Sequence, residues 1–391
     1  MRPAAVLLLA LVCGCASAPV GGGAGHELAM PPLEVRGDAA LAKMNEEELF
    51  ANGTSAFAAR DWVRAAACFE RLALAYPQAK NRVLALYNAG LARERLADWD
   101  EAREHFAAIA DPLGTGDALD AAFHLAEALY HLGRYGSAAD VLQRISTRDD
   151  LPVGRKLEAM VQRGVCEVED GRLEVGEKTL RQALSLWSGA PDRDTLDDYF
   201  PAQAQFFLGE IYRLHYGSVR LDPGAGADQL SKDLEFKAEL LLSAQGHYLR
   251  TIKIGNAYWA TASGTQIGGL YQDMYQQIAD AQAPRELDAE EAVIYKQEVR
   301  KRVRVLLTKA ITVYESTLAT AERLGSSGAF VDRAREGLEK MKQLLLADAA
   351  EEEPTPEDRP PASGRPAPAR PRPPEGTPPP APARAASGGS G

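Results

Sequence analysis

The sequence has few cysteines, no long apolar run and little proline outside its C-terminal end. Only 4 of its 391 residues are cysteine, which excludes a small disulfide-stapled scaffold. No apolar run reaches about 18 residues, which excludes a multi-span membrane protein. The formal net charge of -11 argues against a general nucleic-acid binder, because dense phosphate charge would repel an acidic surface.

The prolines are concentrated in one segment. Of 24 prolines, 13 lie between Pro354 and Pro382. The proline-poor body, rich in Ala and Leu, predicts an all-α domain, and the proline-rich end predicts a disordered tail over residues 349–391. The tail is interpreted either as a spacer or ligand for a proline-binding module, or as a solvated terminus without a role.

The N-terminus combines a positive charge, a short apolar segment and cysteines. Arg2 precedes the apolar residues 4–12, and Cys13 and Gly14 precede Cys15. This pattern resembles the signal of bacterial lipoproteins, although Cys13 departs from the usual small residue. The resemblance implies removal of residues 1–14 and acyl chains on Cys15, which would anchor the protein stably.

The residue after Cys15 also bears on location. Because Ala16 rather than Asp follows, the resemblance implies the outer membrane, with the protein facing the periplasm. An ordinary secretory signal with incidental cysteines is the alternative. Residues 15–43 contain Gly21, Gly22 and Gly23 and lack helical periodicity, so they predict a flexible tether.

The body contains an internal repeat. Trp62, Trp99, Tyr135 and Leu173 stand at corresponding places in four similar segments, at nearly constant intervals. The segments resemble tetratricopeptide repeats, which are hairpins of two antiparallel helices of about 34 residues. The resemblance implies a right-handed superhelix in which small residues sit where paired helices cross. Those positions are Gly53, Ala65, Gly90, Ala102, Ala126, Ala138, Gly164 and Gly176.

The resemblance assigns four repeats to residues 44–188 and a degenerate region with long helices to residues 189–348. In that region, helical spacing predicts second helices over residues 231–254 and 287–324 and a last helix over residues 329–347. A separate helical subdomain from about residue 190 is the alternative.

No pattern for catalysis stands out. The chain has no HExxH, CxxC, GxSxG or phosphate-loop motif, so we expect no enzyme activity, no cofactor and no metal site. Cys68 and Cys166 are expected to be buried thiols rather than a disulfide.

The remaining candidate function is binding. By resemblance, the first helix of each repeat lines a concave groove, where aromatic and charged side chains could hold a peptide or helix. The groove positions are Phe50, Phe57, Tyr87, Glu94, Arg95, Phe123, Glu127, Tyr130 and His131. Alternatively, the rings serve only to pack neighbouring repeats.

These features predict a lipid-anchored scaffold that organises a cell-envelope complex through envelope protein partners, without nucleic acid or a small-molecule substrate. Residues 240–345 resemble tetratricopeptide proteins of the myxobacterial envelope, including gliding-motility lipoproteins, which implies a role in motility or trans-envelope assembly. The alternatives are a lipoprotein that stabilises an outer-membrane secretin or barrel and, from another class, a peptidoglycan-acting enzyme.

Overall fold

The computed structural model describes residues 40–110, 113, 114, 116–222, 224, 226–283 and 287–352. The predicted lipidation at Cys15, the signal segment, most of the tether and nearly all of the proline-rich tail lie outside the described residues. Among the described residues, no helix combines the length and hydrophobicity needed to span a bilayer.

The described residues form α-helices, joined by turns and two short 3-10 segments. The helices are α1 Glu46–Ala58, α2 Trp62–Ala75, α3 Arg82–Arg95, α4 Trp99–Ala110, α5 Asp117–His131, α6 Tyr135–Ser146, α7 Val153–Glu169, α8 Leu173–Gly189, α9 Tyr199–Ser218, α10 Ala227–Ile254, α11 Ala257–Ala279, α12 Ala289–Leu324 and α13 Ala329–Glu352. Successive helices pair as hairpins. The predicted all-α array of helical hairpins is confirmed.

The chain divides into two compact units, Met1–Asp111 and Pro112–Gly391. In the N-terminal unit, α1 packs against α2, α2 against α3 and α3 against α4. In the C-terminal unit, α5 to α13 likewise pack in chain order, and α11 also contacts α9 and α13. The domain boundaries and the right-handed superhelical path drawn from the sequence stay predictions.

The turn inside each of the first four hairpins uses a residue with a left-handed backbone. Arg60, Ala97, Gly133 and Gly171 have φ of 61°, 59°, 69° and 77°, and each stands just before the second helix of its hairpin. Glycine adopts this conformation freely, whereas a residue with a Cβ pays about 1 kcal/mol or more. The turn geometry is therefore kept along the array even where the residue type is unfavourable.

The close approach of paired helices depends on glycine. A Cβ at the glycine would come within 2.4–2.8 Å of a large side chain on the second helix of the hairpin. The pairs are Gly53 with Phe69, Gly90 with Phe106, Gly164 with Leu180, Gly209 with Tyr248, and Gly268 with Tyr314. Each ring or Leu fills the space that a side chain would otherwise occupy, so the two helices interlock.

The other predicted packing residues also lie inside. Ala65, Ala102 and Ala138 are fully buried, and Ala126 is nearly so. A Cβ at Gly176 would lie 2.7 Å from Val168 and 3.1 Å from the carbonyl oxygen of Gly164. Cys68 and Cys166 are buried thiols and form no disulfide, as predicted.

Candidate functional site

In the N-terminal unit, the predicted groove aromatics are half-buried against rings of their own hairpins. The edge-to-face contacts have centroid distances of 5.0–5.8 Å and join Phe50 to Phe69, Phe57 to Trp62, and Tyr87 to Phe106. Part of each ring is thus used for packing. Glu94 is half-buried and Arg95 is exposed.

The same unit contains an ion-pair network that sequence reasoning missed. Arg93 on α3 donates to both carboxylate oxygens of Glu70 on α2, at 2.7 and 2.9 Å, and to Asp98 at 2.9 Å. His105 Nε2 on α4 lies 3.0 Å from Glu70 Oε1. Burial raises the pKa of Glu70, but the hydrogen bonds from His105 and Arg93 outweigh it and lower that pKa to about 2. The network joins three helices, which is a structural role.

A cavity of about 350 Å³ opens in the C-terminal unit between α5, α6, α7, α9 and α11. Three predicted groove residues, Glu127, Tyr130 and His131, line it. Phe123 does not: it is only 7% exposed, and the guanidinium of Arg155 lies 4.1 Å from its ring centroid. Little of this ring is accessible, and its place in the binding groove stays a prediction.

The far wall of the cavity is aromatic and comes from α9 and α11, whose rings were not among the predicted groove residues. Tyr199 and Phe207 on α9 and Trp259 on α11 all line it. The Trp259 ring lies 5.5 Å from Tyr199 and 6.2 Å from Phe207. Tyr199 is 37% exposed, whereas Trp259 is 6% exposed, so Trp259 is held rigidly and Tyr199 offers accessible surface.

Two polar atoms of cavity-lining residues have no hydrogen-bond partner. They are the indole Nε1 of Trp259 and the amide Oε1 of Gln203, both shielded from solvent. A buried polar atom left unpaired costs about 1–3 kcal/mol. A ligand that offered an acceptor to the indole and a donor to the amide, once the side chains that cover these atoms shift to admit it, would recover that energy.

Burial shifts the titratable groups in and beside the cavity toward their protonated forms. Burial, with the charge of Glu167, raises the pKa of the Cys166 thiol to about 12, so this cysteine stays protonated and is a poor nucleophile. Burial and the charge of Glu169 raise the pKa of the Tyr130 hydroxyl. Burial, with the charge of Glu210, also raises the pKa of Glu169. The cavity is thus an aromatic surface with carboxylates beside it.

The comparisons with known proteins identify the repeat. Residues 50–118 and 87–151 match the tetratricopeptide repeat family model. Residues 50–151 therefore match tetratricopeptide repeats, as predicted for this part of the sequence. Such domains generally act as protein–protein interaction scaffolds and are typically non-catalytic. No curated protein matches the chain.

Several solved structures resemble the chain at low identity. A tetratricopeptide repeat protein from Parabacteroides merdae is 11% identical with a TM-score of 0.36, covering 76% of this chain and 98% of that one. A TPR repeats protein from Bacteroides fragilis is 12% identical with a TM-score of 0.29, covering 77% and 99%. The Rap conjugation gene regulator of plasmid pLS20, complexed with the Phr* peptide, is 14% identical with a TM-score of 0.32, covering 82% of each chain.

Proposed function

We propose that this tetratricopeptide repeat protein is a lipid-anchored, non-catalytic scaffold of a bacterial envelope, and that the cavity of its C-terminal unit holds a segment of a partner protein. The observation that carries the binding proposal is the cavity wall formed by Tyr199, Phe207 and Trp259. Aromatic side chains supply contact area at low cost in conformational entropy, which is why they dominate binding hot spots.

The polar groups of the cavity support a peptide-like ligand. A peptide backbone presents carbonyl acceptors and N–H donors in one plane, and the unpartnered Trp259 Nε1 and Gln203 Oε1 need one of each. Charged groups at the edge, such as exposed Glu127, would select the register and partner charge.

The envelope part of the proposal is supported by the sequence. The signal that ends before Cys15 supports a lipid anchor at the periplasmic face of the outer membrane, and the glycine-containing residues 15–43 would give the helical body reach from the membrane. The resemblance of residues 240–345 to myxobacterial envelope proteins supports a place in a motility or trans-envelope assembly.

A matched pair of substitutions tests the binding site. Tyr199→Ala removes an accessible cavity ring, whereas Tyr295→Ala on α12 removes a tyrosine that is similarly exposed, at 39% against 37%, but does not line the cavity. After crosslinking in native envelopes, we expect Tyr199→Ala to reduce recovery of the specific partners at least tenfold, because a hot-spot ring contributes about 2 kcal/mol or more. Equal recovery with both variants contradicts the cavity as the binding site.

The anchor is tested separately. We expect metabolic labelling with a fatty-acid analogue to mark the wild-type protein but not Cys15→Ser. We also expect the wild type, but not the variant, to be found in the outer-membrane fraction. Equal labelling of both proteins would refute the lipid anchor and would leave the cavity proposal untouched.

A further inference from the structure

The C-terminal tail contains a segment of unusual chemistry. Residues 359–374 hold seven prolines, four arginines and no acidic residue. Proline has a carbonyl acceptor but no backbone N–H donor, and proline-rich chains favour the extended polyproline II form with solvated carbonyls. The segment therefore offers hydrogen-bond acceptors, apolar rings and a charge of about +4 from its arginines.

The cavity of the C-terminal unit has the complementary groups. Its unpartnered indole donor, Trp259 Nε1, fits a ligand made mainly of acceptors. Its aromatic wall is of the kind that docks proline rings in recognition of polyproline II segments. Exposed Glu127, which lines the cavity, and Glu169, the hydrogen-bond partner of the cavity-lining Tyr130, would attract arginine.

The tail can reach the cavity. Tyr258 on α11 contacts Phe330 at the start of α13, with centroids 5.6 Å apart, and Tyr275 donates to Asp348 near the end of α13, at 2.9 Å. The two helices therefore run alongside each other, and the tail leaves α13 near Tyr275. Trp259 lies between four and five turns earlier in α11, about 24 Å away at a rise of about 1.5 Å per residue.

A polyproline II chain covers that distance in about 8 residues, at about 3.1 Å per residue. Counted from the end of α13 at Glu352, 8 such residues would bring the chain to the cavity at about residue 360. That position is the start of the segment of residues 359–374.

We propose that residues 359–374 occupy the aromatic cavity of the C-terminal unit in the same chain, as an internal ligand that a partner must displace. This inference builds on the proposed binding face but concerns the tail alone, so it is tested without any partner. Failure of partner capture and failure of tail binding are separate results.

Tethering allows weak contacts to suffice. A short flexible linker gives an effective concentration on the order of 1 mM. If the segment binds with a Kd of about 0.1 mM, the cavity is then occupied roughly nine-tenths of the time. The same free peptide would bind the intact chain about tenfold more weakly than a chain whose own tail cannot bind.

The first experiment is site-specific photocrosslinking in the full mature chain. We place p-benzoylphenylalanine at Tyr199 or, as the matched control, at Tyr295. We expect mass spectrometry to find crosslinks from position 199 to residues 359–374, at a yield independent of protein concentration and at least fivefold above position 295. Equal yields from both positions, or crosslinks that join only two different chains, would overturn the proposal.

The second experiment uses a fluorescent peptide of residues 359–374. Its anisotropy is measured with the wild-type chain and with the full chain carrying Arg359→Gln, Arg365→Gln, Arg370→Gln and Arg372→Gln. The substituted residues follow the last described helix, which ends at Glu352, and circular dichroism checks that the fold is retained. We expect about tenfold tighter peptide binding to the substituted chain. Equal affinity for the two chains, or no binding to either, would refute an internal ligand.

Discussion

The ring of Tyr314 on α12 is wedged between the backbones of two other helices, and this arrangement makes a sharp prediction about glycine. A Cβ at Gly268 on α11 would lie 2.4 Å from the ring, and one at Gly337 on α13 would lie 2.5 Å from it. Tyr314 is 3% exposed, and its hydroxyl donates to Gln272 at 3.0 Å. Because the ring is held on both sides, it cannot move away from an added methyl group.

The matched perturbations are Gly268→Ala and Gly269→Ala. The neighbouring Gly269 has only the Tyr314 hydroxyl near its potential Cβ, at 3.9 Å, which is ordinary contact. Both substitutions gain the same helix propensity, up to about 1 kcal/mol. Only Gly268→Ala forces the helices apart, and overpacking costs about 1–3 kcal/mol. The difference between the two variants therefore isolates the steric cost.

The assay is urea unfolding followed by circular dichroism and by tryptophan fluorescence. Trp62 and Trp99 are replaced by Phe in every variant, so that only Trp187 and Trp259 of the C-terminal unit report its transition. We expect Gly268→Ala to be about 1–3 kcal/mol less stable than Gly269→Ala. Replacing Tyr314 with Leu in both backgrounds should remove most of that difference. If Gly268→Ala is as stable as Gly269→Ala, the Tyr314 ring is not packed tightly between Gly268 and Gly337. The close packing of α11 against α12 at Gly268 would then be refuted.

Four further predictions concern turns, buried charge and pH. Ala97→Gly should stabilise the chain by about 1 kcal/mol, and Gly133→Ala should destabilise it similarly, because both positions require a positive φ; thermal unfolding checks both signs. Lys237→Met should destabilise the C-terminal unit by about 1–3 kcal/mol, since the fully buried ammonium donates to two backbone carbonyls at 2.7 and 2.8 Å; an unchanged urea midpoint would argue against this role. The pKa of Glu70 is lowered from 4.5 to about 2, so its carboxylate stabilises the folded state fully above pH 4.5, and this stabilisation is lost as the pH falls toward 2. Glu70→Gln should therefore make stability depend less on pH within that range, as measured by acid unfolding. Burial, with the charge of Arg250, lowers the pKa of His247 from 6.5 to about 4. The unfolded chain therefore binds a proton that the folded chain does not, and the stability of the fold decreases as the pH falls from 6.5 to 4. His247→Gln should remove that decrease, as measured by urea unfolding at both pH values.

The helical hairpins could be predicted because their signal is local and repeated. Gly53 and Phe69, Gly90 and Phe106, and Gly164 and Leu180 share one constant separation along the chain, and the structure brings each pair into contact. The same contact recurs between Gly209 and Tyr248 and between Gly268 and Tyr314, at much larger and unequal separations. The sequence revealed the long helices but not these two partners, since a longer second helix removes the constant interval on which the pattern depends.

The candidate site was predicted only in part. Tyr130 and His131 line the cavity, because they occupy the groove face that the repeat assigns to a first helix. Tyr199 and Trp259 were missed: they stand far apart in the sequence, at the starts of α9 and α11, and no periodicity links them. The rings that cluster at these two helix starts are the only hint that the sequence offers.

The sequence by itself determined the all-helical hairpins and the small residues at their crossings. These properties depend on residue type and on intervals of a few helical turns, which the linear order of the chain preserves. Only the tertiary structure decided which side chains meet across helices, such as Trp259 with Tyr199, and which are covered, such as Phe123 beneath Arg155. The exposure of a side chain depends on neighbours that are distant in the sequence. The positions of those neighbours follow from how the side chains of the whole unit pack in its interior.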